Sequence, residues 1–403
     1  MSTLKNLSLC MMACIGMAAC TSKQPQEAVP DNLPYTVIPF EKGVENEKQV
    51  KLSEIAEKIT FIPMETTDAS LLTKVRANNI ISVNGTIVIP CFYLGAWTFD
   101  ENGKFIAPIS RKGQGPGEFT WFVCVAGNSD RNLIYVKSSG KMMAFRPDGT
   151  FVNEYKIPGI GLPWESSIVM QDSITLSVIL NTTGQMPHRL ILSNTQGDTL
   201  KAFPQYDHFE MPYDMNYAYC NNKENYLYQY KGESVYHDYY CDTLYTVTRD
   251  SLLPRYLLDM GKYKLPKDLR LEVAVVSRDY EKESHMLKKA EEYFRPIFFE
   301  NDRYIVMPYT TWNFEHRYAP AKLMYYDRET KECIKVKDGA FVNDMLGDLP
   351  FCPDARIAEN ILAEWWEVTE LMELAEEGVE LPDNLKNLKE DDNGVLVVVH
   401  LKK

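Results

Sequence analysis

The sequence has 403 residues, 45% of them hydrophobic and 25% charged, with a formal net charge of −13 at pH 7. That composition is globular rather than disordered, and the acidic balance argues against non-specific capture of nucleic acid or anionic lipid by surface charge. The 24 Tyr, 17 Phe and 6 Trp suit pleated, half-buried surfaces, so the chain leans toward β structure.

The first twenty residues, MSTLKNLSLCMMACIGMAAC, place Lys5 before an apolar run over residues 7–19. The run is short for a membrane span and ends in Met17-Ala18-Ala19-Cys20. This resembles a bacterial lipobox, with Met17 where Leu is usual. The resemblance implies a signal peptide over residues 1–19 and lipid on Cys20, which would become the first residue of the mature chain; the alternative is an ordinary secretory signal with a chance Cys. Residues 20–34 are polar, Pro-containing and aperiodic, as a flexible tether would be. Acyl chains on Cys20, not the protein surface, would then hold the chain to a membrane. Six further cysteines, Cys91, Cys124, Cys220, Cys241, Cys333 and Cys352, show no CxxC or metal-type spacing. Buried free thiols are expected, with a Cys220–Cys241 bridge as the alternative.

The body repeats. WTFDENGKFIAPI (residues 97–109) and MAFRPDGTFVNEY (143–155) both read as strand, Asp-centred turn with Gly, strand. Gly103 and Gly149 are 46 residues apart, and Gly197 in LILSNTQGDTLKAF follows 48 later. A degenerate copy, LMYYDRETKECIKV, spans 323–336. Each hairpin is preceded by another strand, over 87–89, 133–136, 174–178 and 304–307. Several strands per unit at such a period are the mark of propeller blades. RKGQGPGEF (111–119) then falls after the outer strand of one repeat and before the next, where a tight inter-blade crossing is needed. It is neither a Rossmann nor a P-loop fingerprint: position 118 is Glu, no Gly-Lys-Ser/Thr follows, and the loop leads to a strand-like stretch.

Two stretches read as amphipathic helices inserted in the β body. One covers 267–294, through Val276, Tyr280, Leu287, Ala290 and Phe294; the other covers 354–377, with Asp354 as N-cap and Gly378 just past its end. The second has a glutamate-rich face, either simply solvated or docked on a partner. The final GVLVVVHLKK is strongly β-prone and is expected to complete a blade with either YTVIPF (35–40) or ITFIPM (59–64).

No catalytic constellation stands out. The six His, at 188, 208, 237, 285, 316 and 400, show no ligand spacing, no GxSxG elbow occurs, and Asp100-Glu101-Asn102-Gly103 fits a hairpin turn better than a calcium loop. No metal and no cofactor are expected. Candidate ligand residues are Arg111, Lys112 and Glu118 in the glycine-rich loop, where an Arg111–Glu118 ion pair is an equally good reading. Aromatic candidates are Trp121, Trp164, Tyr309, Trp312 and Tyr318, with His316 beside the last two. The polar loop PYTTWNFEHRYAP is the favoured site, against the reading that its rings are core.

Taken together, GQGPGEF with LIYVKSSGKMMAFRPDGTFV is similar to the NHL-type repeat of six-bladed propellers. Across its length the chain resembles the Bacteroidetes 6-bladed β-propeller lipoproteins, on LSEIAEKITFIPMETTDASLL, FDENGKFIAPISRKGQGPGEF, CDTLYTV and LKEDDNGVLVVVHLKK. It departs where Asn393-Gly394 replaces a common Asn-Pro, and where no acidic run follows Cys20. The resemblance implies an all-β, six-bladed propeller over 35–403, lipid-anchored in the cell envelope, at the outer membrane, on a face the sequence leaves open. A monomeric, non-catalytic binding or scaffold module for a glycan, peptide or envelope protein is expected, with no nucleic acid partner. A lyase or hydrolase with its site at the channel mouth is the alternative, supported by fold analogy alone.

Overall fold

The computed structural model describes residues 34–138, 140–157, 167–170, 174–179, 181, 183–210, 227–238, 240–269, 290–312 and 322–403. Residues from Tyr35 to Lys403 form one compact unit. It is a six-bladed β-propeller whose blades are antiparallel four-stranded meanders, running in chain order in blades 1 to 5.

Blade 1 is Ile81–Val83, Thr86–Cys91, Gly95–Phe99 and Phe105–Ile109. Blade 2 is Phe122–Asn128, Leu133–Ser138, Lys141–Phe145 and Phe151–Lys156. Blade 3 is Ser167–Met170, Ile174–Val178, His188–Ser193 and Thr199–Pro204. Blade 4 is Leu227–Tyr230, Glu233–His237, Thr243–Val247 and Leu252–Leu258. In blade 5 the inner strand is split, Phe294–Pro296 and Phe299–Glu300, before Tyr304–Thr311, Lys322–Asp327 and Cys333–Val336. Blade 6 takes Ala355–Ala358, Ile361–Trp366 and Val395–Leu401 from the end of the chain and its outer strand, Ala56–Pro63, from the beginning.

The hairpin repeats become the third and fourth strands of blades 1, 2, 3 and 5. Their turns work as the sequence suggests. The Asp100 carboxylate accepts from the N–H groups of Asn102 and Lys104 at 2.8 and 2.9 Å, the Asn194 amide oxygen accepts from those of Gln196 and Asp198, and Asp148 and Asp327 accept from the N–H two residues on. Gly103 has φ +81, and a Cβ there would sit 2.2 Å from the Pro63 carbonyl of blade 6, so only glycine fits. The core is a ring of apolar clusters between neighbouring blades. Ile87, Ile89 and Phe99 of blade 1 pack on Trp365, Leu396 and Val398 of blade 6, while Val88 and Ile109 pack on Val136 and Met143 of blade 2.

Val395–Leu401 pairs antiparallel with Ala56–Pro63, so the second of the two candidate segments closes the ring. The other, Thr36–Ile38, instead adds a parallel strand to the outer edge of blade 4. Glu47–Lys48 does the same on blade 5. The segment from Thr36 to Pro63 is thus a strap along the outer edges of blades 4, 5 and 6. Between its strands lie two short helices, Phe40–Glu45 (α1) and Leu52–Ile55 (α2).

The helix read over 354–377 is corrected. Only Val368–Glu376 (α3) is helical, and the residues before it form the first two strands of blade 6. Asn360, at φ +57, breaks any helix through this stretch, and the apolar run at 361, 363 and 365 alternates as a strand does. Asp354 accepts from the Trp365 N–H at 3.1 Å rather than capping a helix. Glu367 is the N-cap residue, and Gly378 does follow the last turn, at φ +96. Of the other helical stretch, residues 270–289 lie outside the described residues; before them is a 3-10 turn, Lys267–Leu269, and Phe294 begins a strand of blade 5.

Candidate functional site

The glycine-rich loop closes on its own carboxylate. Arg111–Lys112 and Glu118–Phe119 pair as a short parallel ladder at the crossing from blade 1 to blade 2. The Glu118 carboxylate accepts from the Gly115 N–H at 2.9 Å and from Arg111 Nε at 2.7 Å. These two donors, the backbone one first, hold its carboxyl below the usual range. A Cβ on Gly113 would lie 2.0 Å from Glu118 Oε2, so the glycine makes room for the carboxylate. The Gly117 N–H donates to Glu154 of blade 2 at 3.1 Å, tying the loop to the next blade. Lys112 is exposed, and the Arg111 side chain is 84% exposed. The loop is an architectural crossing whose acid is already occupied.

Immediately after it comes Trp121, 41% exposed. Its ring meets Tyr93 at 4.9 Å between centroids and 66° between planes, and Tyr93 meets Phe92 at 4.3 Å and 89°. The Arg76 guanidinium lies 5.0 Å over Phe92. Phe92, Tyr93 and Leu94 form the turn between the second and third strands of blade 1, and Tyr93 and Leu94 are exposed. Tyr93 has φ +62, an outlier for a bulky side chain. Such backbone costs about 1–2 kcal/mol and persists where the surroundings fix it, often at ligand sites. Sequence reasoning found Trp121 and missed its partners. The available signal was CFYLG, two rings and a leucine in a turn where polar residues are usual.

A second feature lies where the turns between first and second strands of blades 4, 5 and 6 meet. Glu300, fully buried, accepts from Arg255 Nη2 at 2.7 Å, Tyr256 OH at 2.6 Å, Tyr228 OH at 2.9 Å and from Arg328 Nη2. Asp302 accepts from Lys231 Nζ at 2.6 Å, Asn360 Nδ2 at 2.8 Å and Tyr230 OH. These donors, Lys231 first, hold Asp302 far below the usual carboxylate range. Burial pushes Glu300 up, but its donors, Arg255 first, more than offset this and leave it lowered. Both acids are therefore fixed as anions, the chemistry of a clamp between blades rather than of proton transfer at neutral pH.

The remaining sequence candidates fare differently. Tyr309 and Trp312 are buried, at 1% and 2% exposure, and belong to the core, which removes them from a ligand surface. Tyr309 packs on Phe40, and Trp312 Nε1 donates to the Phe294 carbonyl. Their flanking strand is apolar and central in blade 5, so the core reading wins there. Trp164, His316, Tyr318 and Cys20 lie outside the described residues. His237 is buried, its pKa pushed down to about 4 by desolvation. Among the described residues no group of three or more His, Cys, Asp or Glu side chains is placed to hold a metal. Cys91, Cys124, Cys241, Cys333 and Cys352 are free thiols; Cys220 lies outside the described residues. No described helix is long and apolar enough to cross a membrane.

Among solved structures, the fold is similar to that of a Bacteroides fragilis protein bearing an exported-protein designation, at TM-score 0.66 and 16% identity, over 91% of this chain and 100% of that one. A DUF4221 family member from Bacteroides vulgatus aligns at TM-score 0.43 and 14% identity, over 86% of this chain and 97% of that one. No curated protein matches the chain. The profile of DUF4934, a domain of unknown function, matches residues 35–400, so the chain belongs to the DUF4934 family.

Proposed function

We propose that the protein is a non-catalytic binding module of the bacterial cell envelope, held at the outer membrane by lipid on Cys20, that takes the sugar rings of an envelope glycan on its aromatic face. The observation that carries the reading is the exposed contact of Trp121 with Tyr93, the latter held at φ +62. Flat exposed rings stack on sugar faces, and a positive φ at a tyrosine is tolerated where it aims a functional side chain. Arg76 stacks over Phe92 behind the same rings. The occupied carboxylates at the opposite end of the blades favour binding over hydrolysis or elimination, which need an acid or base poised near the working pH. The lipobox resemblance supports the anchor, and the exported-protein designation of a neighbour of like fold supports an envelope location.

The test is a glycan array probed with the native chain and with Trp121→Ala. Glycan binding lost in the variant supports the reading. Glycan binding that survives the substitution, or no glycan binding beside clear binding to a peptide array, overturns it.

A further inference from the structure

A partly open cavity of about 700 Å³ lies among the innermost strands and adjoining turns of blades 1, 2, 4, 5 and 6. That volume is in the range of small-molecule sites. Its wall is polar: Asn79, Asn128, Gln229, Tyr230 and Arg356 all line it. Arg356 stands on the innermost strand of blade 6. Its Nη2 donates to the Gln229 carbonyl of blade 4, and its Nη1 reaches the Ala358 carbonyl at 3.4 Å. A guanidinium carries five N–H donors, so most of this one's capacity is unused among the described residues.

No described carboxylate bonds Arg356, and the acids around it are engaged elsewhere. Glu300 is held by Arg255 and Arg328, and Asp302 by Lys231 and Asn360. Glu359 accepts from the Lys231 N–H at 3.1 Å and is itself exposed. Burial pushes Arg356 below the ordinary arginine range, and the nearby charges of Glu300 and Glu359 offset this only in part. The Tyr230 ring, 5.8 Å from the guanidinium carbon, supports it from one side. Asn79 adds a buried amide oxygen with no partner among the described residues. A guanidinium with unused donors and an unfilled amide acceptor in one polar cavity suit a ligand that carries both an anionic group and hydroxyl donors.

We propose that the cavity binds a small polar molecule bearing a carboxylate, such as a sugar acid, with the carboxylate on the free N–H edge of Arg356 and the polar body against Asn79 and Asn128. The planar fork of an arginine matches a carboxylate, and also phosphate, so the experiment separates the two sources. The inference does not depend on the aromatic face, and either can fail alone.

The experiment is titration calorimetry of the whole chain with acetate, D-glucuronate and inorganic phosphate, with D-glucose as the neutral control. Binding of glucuronate without glucose is expected, weakened at least tenfold in Arg356→Gln. Because Arg356 also bridges to blade 4, a second variant, Asn79→Asp, leaves that bridge intact and places a like charge in the cavity. It too is expected to weaken glucuronate about tenfold. Phosphate binding with the same variant dependence, and none of the carboxylates, overturns the carboxylate assignment. Failure of every oxyanion to bind, or equal affinity in the native chain and both variants, overturns the site.

Discussion

Arg255 and Glu300 meet edge to edge, with Nη2 2.7 Å from Oε1 and Nε 3.0 Å from Oε2, and so join the outer strand of blade 4 to the inner strand of blade 5. Arg328 bonds the same carboxylate, while Glu233 takes Arg255 Nη1 at 2.6 Å. Glu300→Gln would leave two guanidiniums facing each other without their shared anion. The expected loss is about 3–5 kcal/mol, the usual result of removing one member of a buried charge network. A lowered denaturant midpoint at unchanged slope would show it; a shift within error would mean that the arginines find other partners.

The same carboxylate sets part of the acid limit. The folded-state pKa of Glu300 is below its unfolded value near 4.5, so its contribution is present above that value and is lost as pH falls through the folded value. Asp302 is lowered also and acts in the same direction. His237 acts higher. Its folded pKa of about 4 is below an unfolded value of 6.5, so its contribution begins to fall away below pH 6.5 and is gone near pH 4. Replacing His237 with Gln should flatten the stability profile across that window by up to about 1.4 kcal/mol per pH unit. Melting curves taken at half-unit steps from pH 7 to 4 would check this, and a profile parallel to the native one would refute it.

Glu364 has the opposite sign. It is buried on the second strand of blade 6, and desolvation first, then the charge of Asp354, push its carboxyl well above the usual range. A raised carboxyl contributes most below its unfolded pKa and loses that contribution as pH rises through the folded value. Glu364→Gln keeps an acceptor for the Cys352 N–H, now 3.1 Å from Oε2, without the charge. The variant should be more stable than the native chain at pH 8, by about 1–3 kcal/mol, and indistinguishable from it at pH 4. Equal melting temperatures at both pH values would show that the folded-state pKa of Glu364 is not raised above its unfolded value.

The propeller was legible because its signals are local. Strand, Asp-centred turn and strand recur in one short window, and Asp100 or Asp148 organises its turn with no help from distant residues. The crossing loop was legible for the same reason, since Arg111 and Glu118 are neighbours in sequence as well as in space. The rest needed tertiary context. Residues 354–366 carry apolar positions compatible with both periods, and only Asn360 at positive φ decides between them. Tyr309 and Trp312 sit in a stretch whose polarity suggests a surface, yet blade 5 buries both rings. Tyr93 and Trp121 are 28 positions apart, and the Arg255, Glu300 and Arg328 clamp spans three segments, so no spacing rule would have joined either set.

The loop and the aromatic face can be separated by substitution. Arg111→Ala removes a highly exposed partner, so its effect on stability should stay within about 1 kcal/mol. Glu118→Ala also removes the acceptor for the Gly115 N–H and should lower the melting temperature further than Arg111→Ala does. Trp121→Ala should leave the melting temperature nearly unchanged while weakening the proposed glycan contact. If Trp121→Ala instead unfolds the protein, the ring is structural and the proposed surface loses its centre.

The strap supplies the last prediction. Phe40, on α1, is fully buried between the strap and blade 5, its ring 5.3 Å from Tyr309 and 6.5 Å from Phe294. It anchors the segment that leads from the parallel edge strand on blade 4 to that on blade 5. Phe40→Ala should cost about 3–5 kcal/mol, from lost transfer energy and the cavity left behind. Because the strap lies on outer edges, the loss should be regional at first. Hydrogen exchange should rise at Thr36–Ile38 and Leu252–Leu258 before it rises at Val395–Leu401, which is paired within the closed blade 6. Uniform acceleration across all six blades would instead make the strap part of one cooperative unit with the ring.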